Sequence, residues 1–290
     1  MYSALKKGKF HRIALVIVYI GPAPFWMPSF LLSCRFNPEI TWLLFSDMGR
    51  PADCPENVQF IPLDLAGFNR RASETLGLDI RVQQSFVYKI ADFKSAYGRI
   101  FAKDLQPFDF WGHCDLDIVW GNIGHFVSQD ILETFDIVTS RPGRISGHFC
   151  LFRNIPEITN TYQWIPRFAQ MMQDNTLYAI DETHITDYLH IHNNPNWVVR
   201  LKQFVLGKQA VQPRVYWENV LTTSGAHQRT MGEGTNRFWL WKDGRTYDAD
   251  GMEMMYLHFH KIKQTMTGIN FGYGDRPKEF KITHEGIVAP

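Results

Sequence analysis

Short apolar runs that stop at glycine, proline or aspartate constrain the fold of this chain most. Residues 13–20 stop at Gly21, residues 40–45 stop just before Asp47, and residues 58–61 stop at Pro62. β-branched and aromatic residues dominate these runs, as in buried strands. Stretches that can form helices lie between them. The alternation predicts βαβ units, and therefore an α/β fold with a mixed, mostly parallel sheet flanked by helices.

One longer helix is predicted over residues 84–103, because apolar side chains recur there at spacings of three and four residues. A helical wheel puts Lys89 and Asp92 on a separate, charged stripe. Further strands are predicted over 108–114, 136–140, 147–152 and 197–201, and a hairpin turn after Trp241. Without a repeat or a linker, residues 1–290 are expected to form a single large domain.

Charge and cysteine content narrow the class of protein. Thirty Lys and Arg against 29 Asp and Glu leave a net charge of +1, which argues against a nucleic-acid binder. The four cysteines form no C-x-x-C pair, so a reducing, cytoplasmic location is expected. The run 13–20 has the flanking charges of a short signal peptide, but it is rich in β-branched residues and stops at Gly21-Pro22, so we interpret it as the first core strand. It is also far shorter than the roughly 20 residues that span a bilayer.

The tripeptide Asp115-Leu-Asp117 is the first candidate for chemistry. Two carboxylates at the end of a strand can converge on one divalent cation that prefers oxygen ligands. In open α/β sheets, ligands bind outside the carboxyl ends of the strands, where this pair is expected. A solvated turn or a helix cap is the structural alternative.

Three other sets of residues have functional and structural interpretations. Lys89 could meet a phosphate and Asp92 a sugar hydroxyl, or the two could form a local ion pair. Asp181 or Glu182 could be a general base, or both could be acids at a helix N-terminus. The late segment His258-Phe-His260-Lys261 could supply a metal or phosphate site, or lie on a solvated edge. In a strand, its two histidines share one face.

Taken in order, these motifs resemble a GT-A-fold glycosyltransferase. The chain is most similar to a bacterial family, catalogued as a domain of unknown function, found among lipopolysaccharide and capsule synthesis genes. The resemblance covers most of residues 11–263. Its signals are Tyr19-Ile-Gly21, Asp47, Tyr88 to Lys94, Phe110 to Asp117, Gly147-His148 with Leu151 and Asn154, Asp181-Glu182, and His258 to Lys261. Two departures are Ser95, where toxin-type relatives have an arginine, and the prolines after Gly21.

The resemblance implies a transferase that takes a nucleotide-diphosphate sugar as donor and a glycan or lipid-linked acceptor. Residues 11–120 would bind the nucleotide sugar, and residues 121–290 would bind the acceptor. Mn²⁺ or Mg²⁺ would be held by Asp115 and Asp117 with His258 or His260. The other contacts to the donor would come from Tyr19, Gly21, Asp47, Tyr88, Lys89, Asp92, Gly147, His148 and Lys261.

In this scheme Asp181 or Glu182 faces the acceptor, as the base if the anomeric centre is inverted. Five aromatic residues are expected to line the sugar sites: Trp111, Trp120, Trp239, Trp241 and Phe259. The protein would work in the cytoplasm or at the cytoplasmic face of the inner membrane. Two alternatives stay open: a metal-dependent phosphoesterase that also uses His113, and a carbohydrate-binding protein without turnover.

Overall fold

The structure is a computed structural model that describes residues 10–192, 213–217, 221–223, 231 and 236–290. The predicted strand at 197–201 lies outside these residues. The strands of the described part are β1 (Ile13–Tyr19), β2 (Ile40–Ser46), β3 (Val58–Pro62), β4 (Phe110–Cys114), β5 (Ile118–Trp120), β6 (Ile137–Thr139), β7 (Phe149–Arg153), β8 (Val215–Trp217), β9 (Trp239–Lys242), β10 (Arg245–Tyr247), β11 (Glu253–Met254), β12 (Tyr256–His258), β13 (Gly268–Ile269), β14 (Glu279–Ile282) and β15 (Gly286–Val288).

A seven-stranded sheet forms the centre of the described fold, with the strand order β3-β2-β1-β4-β7-β6-β8. Strands β1, β2, β3 and β4 run parallel, and β6 pairs parallel with β8. Strand β7 alone is reversed, because it pairs antiparallel with both β4 and β6. The mixed, mostly parallel sheet predicted for a GT-A-like chain is therefore confirmed.

Helices cover both faces of this sheet. The α-helices of the described part are α1 (Met27–Arg35), α2 (Leu65–Leu76), α3 (Tyr97–Ile100), α4 (Ala102–Leu105), α5 (Ile123–Phe126), α6 (Gln129–Thr134), α7 (Pro156–Thr159), α8 (Phe168–Gln173) and α9 (Ile185–His192). Alternation along β1 sends Val16 to the face that packs against Phe68 of α2, and Leu15 to the face that packs against Phe30 of α1. Because both faces are covered, β1 is apolar throughout.

The predicted helix 84–103 is instead a 3₁₀ helix over Gln84–Ala96, followed by the short helices α3 and α4. With three residues per turn, residues i and i+3 lie one above the other. This stacks Lys89, Asp92 and Ser95 into one buried row. The charged stripe of the α-helical wheel is therefore wrong for Lys89 and Asp92, which are fully buried.

A second, six-stranded sheet is built from the C-terminal strands, in the order β11-β10-β9-β14-β15-β13. The predicted hairpin is confirmed: β9 and β10 pair antiparallel across Asp243 and Gly244, both with positive φ (44° and 80°), as a tight hairpin turn requires. Trp239 and Trp241 are fully buried in this sheet's own core. They line no sugar site, contrary to our expectation.

None of the described helices combines the length and the apolar character needed to span a bilayer.

Candidate metal and nucleotide-sugar site

A cleft of about 280 Å³ opens at the carboxyl ends of β1 and β4. Strand β1 contributes Tyr19, and the turn after β4 contributes Asp115 and Asp117. The 3₁₀ helix contributes Tyr88 and Lys94 from the opposite side. The D-x-D pair therefore lies where ligands bind in open α/β sheets, as predicted.

Asp117 is brought to the late histidines by a two-stranded antiparallel sheet of β5 and β12, in which Ile118 pairs with His258. Nε2 of His258 lies 3.4 Å from Oδ1 of Asp117 and 3.6 Å from Oδ2 of Asp115. Nδ1 of His260 lies 3.6 Å from Oδ2 of Asp117. One ligand atom each from Asp117, His258 and His260 falls within a mutual distance of 4.8 Å.

These side chains have the properties of a metal site. Nε2 of His258 is buried and makes no hydrogen bond. Buried polar atoms in proteins usually have a partner, and a bound ion would supply one here. Burial opposes ionisation of Asp117, but His258, His260 and Lys263 outweigh it and hold the pKa of that carboxyl well below its ordinary value. A mixed set of carboxylate and imidazole ligands suits Mn²⁺ better than Mg²⁺, which prefers oxygen ligands.

Lys263 is the cationic partner of Asp117, with Nζ 2.7 Å from Oδ2. It also lines the cleft and lies above the Trp26 ring, 5.5 Å from the centroid. Lys261, for which the resemblance implied a contact to the donor, is exposed and does not line the cleft. Its contact to the donor stays a prediction.

Lys94 contacts residues from three of the predicted motifs: the D-x-D pair, Gly147-His148 and Asp181-Glu182. Its Nζ donates to Oδ1 of Asp115 at 2.5 Å and to the Gly147 carbonyl at 2.8 Å, and lies 3.8 Å from Oδ2 of Asp181. Burial lowers the pKa of the Lys94 ammonium, but Asp115 and Asp181 outweigh burial and raise it above its ordinary value. Lys94 ends the motif that begins at Tyr88, but the sequence did not predict a role for it.

Glu182 holds the start of β7 in place. Its Oε1 accepts a hydrogen bond from the Gly147 amide at 3.1 Å, and its Oε2 accepts one from Arg144 at 2.6 Å. A Cβ on Gly147 would lie 2.6 Å from Oδ2 of Asp181 and 2.9 Å from Glu182. A larger residue at position 147 would therefore displace the side chains of Asp181 and Glu182.

Asp181 is buried beside this contact. Burial is the largest cause that raises its pKa, to about 7; Lys94 opposes the shift, while Glu182 and Asp115 add to it. A carboxyl with a pKa near neutrality has the property that general bases need.

The raised pKa predicts a pH dependence of stability. In the unfolded chain an aspartate titrates near ~3.9, so between about pH 4 and pH 7 the folded state binds a proton that the unfolded state has released. Stability contributed by the neutral Asp181 is therefore lost as the pH rises through this window, at up to about 1.4 kcal/mol per pH unit. Urea unfolding of the wild type and of Asp181→Asn from pH 4.5 to 7.5 should show that the wild type loses stability relative to the variant as the pH rises. Parallel curves would contradict the assignment.

His148 is fixed by a buried hydrogen-bond chain. Its Nδ1 lies 2.6 Å from the Tyr256 hydroxyl, which lies 2.6 Å from Oγ of Ser140. The His148 ring packs on the His258 ring with centroids 4.3 Å apart, and its Nε2 is buried without a hydrogen bond. Burial, followed by the charges of His258 and Arg141, lowers the pKa of His148 well below its ordinary value.

A hydrogen bond joins the segments that follow β1 and β2. The Gly21 amide donates to Oδ1 of Asp47 at 2.8 Å, and Gly21 has φ of 133°, which favours glycine. Tyr19 lines the cleft and donates to the Pro22 carbonyl at 3.2 Å. Tyr88 is 60% exposed on the cleft wall. Tyr19 and Tyr88 therefore line the cleft, whereas Gly21 and Asp47 are not among its lining residues.

Lys89 and Asp92 do not face the cleft. Nζ of Lys89 donates to Asp92 and to the Met171 and Thr176 carbonyls at 2.6–2.9 Å. The Asp92 carboxylate also accepts from the amides of Tyr178 and Ile180. Both side chains are fully buried, and the chain itself occupies their hydrogen-bonding groups. The local ion pair is therefore what the structure shows, in place of sugar and phosphate contacts.

The aromatic residues expected near Asp115 and Asp117 and in the C-terminal segment also belong to the core. Trp111, Trp120 and Phe259 have no exposed surface and pack in the three hydrophobic clusters. Our expectation that they line a sugar site is wrong. Among the described residues, Trp26 lines the cleft, and it donates its indole N–H to the Leu116 carbonyl at 3.1 Å.

Fold and site together define an α/β protein whose cleft, at the strand ends, combines two acidic residues, two lysines and His260, with His258 buried beside Asp117. Residues 15–289 match a family of unknown function, DUF6625, and the chain belongs to this family. Among the curated proteins, no sequence matches the chain significantly.

Solved structures with a similar fold include glycosyltransferases. An active-site mutant of LgtC matches with 10% identity and a TM-score of 0.40, covering 85% of this chain and 86% of that chain. The galactosyltransferase LgtC with donor and acceptor sugar analogues matches with 10% identity, the same coverage and a TM-score of 0.39. Mouse xyloside xylosyltransferase 1 matches with 8% identity and a TM-score of 0.30, covering 61% and 79%.

Proposed function

We propose that this protein is a metal-dependent glycosyltransferase. It would move a sugar from a nucleotide-diphosphate donor to a hydroxyl of a glycan or glycolipid acceptor, in the synthesis of bacterial surface polysaccharide. The observation that carries the proposal is the convergence of Asp117, His258 and His260, within 4.8 Å, beside a cleft at the strand ends. The D-x-D resemblance of the sequence supports the same class.

The cleft would take the donor. Asp117, His258 and His260 would hold Mn²⁺ or Mg²⁺, with Asp115 directly or through water, and the ion would neutralise charge on the leaving diphosphate. Lys263, 28% exposed at the cleft, is suited to meet a phosphate. Tyr19, Gly21 and Asp47 would contact the base and ribose. Gly147 and His148 would hold the donor sugar.

In the reaction, an acceptor hydroxyl oxygen would form a bond to the anomeric carbon as the bond from that carbon to the diphosphate oxygen breaks. The hydroxyl proton needs a base if the configuration is inverted. Of the acidic pair, Asp181 is the better candidate, because its pKa is raised to about 7. Both oxygens of Glu182 are already used by Gly147 and Arg144.

The phosphoesterase alternative needs His113 as a ligand. His113 is fully buried in β4 and does not line the cleft. Burial, with the nearby Lys94, lowers its pKa well below its ordinary value. The geometry therefore favours transfer over phosphoester hydrolysis.

The proposal is tested by thermal denaturation of the wild type with a panel of nucleotide-diphosphate sugars, with Mn²⁺ or with EDTA. A ligand that binds only the folded state raises the melting temperature. We expect at least one nucleotide to stabilise the protein with Mn²⁺ and not with EDTA. The stabilising donor is then assayed for transfer to lipid-linked and free glycans. Binding without transfer or hydrolysis would indicate the non-catalytic alternative, and no binding of any nucleotide would overturn the proposal.

A further inference from the structure

The loop between β6 and β7 carries two arginines that share one carboxylate. The Arg144 guanidinium donates to Oε2 of Glu182 at 2.6 Å, whereas NH1 of Arg141 lies 3.9 Å from the same oxygen. This distance is too long for a hydrogen bond. Within the described residues, the Arg141 guanidinium has no hydrogen-bonded partner. The loop therefore carries positive charge that Glu182 does not neutralise, and the N–H groups of the Arg141 guanidinium have no acceptor among the described residues.

The loop is held rigidly. Thr139 donates its hydroxyl to the Arg144 carbonyl at 3.0 Å and accepts from the Ser146 amide at 3.1 Å. Nε2 of His190 lies 2.6 Å from the Gly143 carbonyl. Side-chain exposures of 32% for Arg141 and 43% for Arg144 leave both guanidinium groups accessible to a ligand. A preorganised pair of this kind loses little entropy on binding.

The arginine pair is a neighbour of the donor cleft and not a part of it. Arg141 follows Ser140, the first residue of the hydrogen-bond chain through Tyr256 to His148, and His148 packs on His258. Neither arginine lines the cleft that contains Asp117 and Lys263. An anion at the pair would thus lie next to a bound donor without being the donor's diphosphate.

We infer that Arg141 and Arg144 bind an anionic group of the acceptor, a carboxylate or a phosphate carried by the acceptor sugar. That the anion belongs to the acceptor rests on the proposed function, whereas the binding of an anion rests on the loop alone. Guanidinium forks bind both oxyanions through paired N–H groups. The acceptor class is thereby narrowed from any glycan to one with an acidic or phosphorylated sugar next to the reacting hydroxyl.

The test uses the full chain at low salt, in EDTA and without nucleotide, and measures binding of galacturonate and of inorganic phosphate by calorimetry. We expect at least one probe to bind the wild type and to bind Arg141→Gln about tenfold more weakly or worse, since a charged hydrogen bond is lost. Arg141→Lys should recover part of the affinity. Arg99→Gln, an exposed arginine on α3, is the matched control and should bind as the wild type.

The proposed function is separated from this inference by Asp117→Asn. That variant should lose stabilisation by Mn²⁺ and nucleotide but keep the affinity for the anion, because the two sites do not share a side chain. Equal affinity of the wild type and Arg141→Gln for both probes, or no binding of either probe by the wild type, would overturn the anion site. Anion binding at the loop without any nucleotide binding would overturn only the transferase.

Discussion

Asp117→Asn is expected to reduce sugar transfer by roughly 100-fold or more, since even changes to groups outside the ligand shell of a metal cost about 10–100-fold. The substitution preserves the shape of a residue that is only 4% exposed, and removes the charge that His258, His260 and Lys263 surround. The same variant should lose the Mn²⁺-dependent rise in melting temperature. Transfer is measured at saturating donor, with Mn²⁺ varied.

The matched control is Glu133→Gln, which neutralises an exposed carboxylate on α6 that does not line the cleft. It should retain both the metal response and transfer. Full transfer by Asp117→Asn, or undiminished transfer by the wild type in EDTA, would exclude the metal-dependent scheme.

Asp92→Ala is expected to cost about 3–5 kcal/mol of unfolding free energy, because it leaves the buried Lys89 ammonium without its counter-charge. Both side chains are at most 1% exposed, with Nζ 2.9 Å from Oδ2. The substitution also removes the acceptor for the amides of Tyr178 and Ile180. Urea unfolding monitored by circular dichroism gives the free energy.

A surface ion pair is the control for this substitution. Asp79 and Arg81 are 64% and 81% exposed, so Asp79→Ala should leave stability nearly unchanged. An Asp92→Ala protein as stable as the wild type would refute the structural role and reopen a role in ligand binding. A loss of transfer without loss of stability would point the same way.

Six of the seven strands of the central sheet were predictable, because each of them carries its own signal, whereas β8 was not predicted. The runs of β1, β2 and β3 are apolar, short and closed by turn residues, and alternate residues of β1 serve both faces. The D-x-D turn was predictable for a similar reason, since Asp115 and Asp117 directly follow β4. For these strands and for this turn, the local sequence pattern alone indicates where the residues lie in the fold.

The long-range part of the site was only partly predictable. The 3₁₀ geometry that buries Lys89 beside Asp92 differs from an α-helix by a fraction of a residue per turn, and apolar spacings of three and four residues suit both. Lys263 follows no regular pattern, because it reaches Asp117 through the pairing of β12 with β5. The sequence does not reveal which strand a three-residue strand pairs with, or in which direction a lysine side chain points. Trp120 and Trp241 looked suited to sugars because size alone does not reveal burial.

The pairing of β5 with β12 also gives the site an order of assembly. Asp117 directly precedes β5, and His258 lies in the adjacent strand β12, but the two residues are separated by about 140 residues of chain. A ribosome that adds roughly 5–20 residues per second makes this length in about 7–28 s. During that interval the turn that contains Asp115 and Asp117 has been made, but His258 and His260 have not. In the newly made N-terminal part the cluster of Asp117, His258 and His260 is therefore incomplete, and it forms only when the last quarter of the chain has folded against the first half.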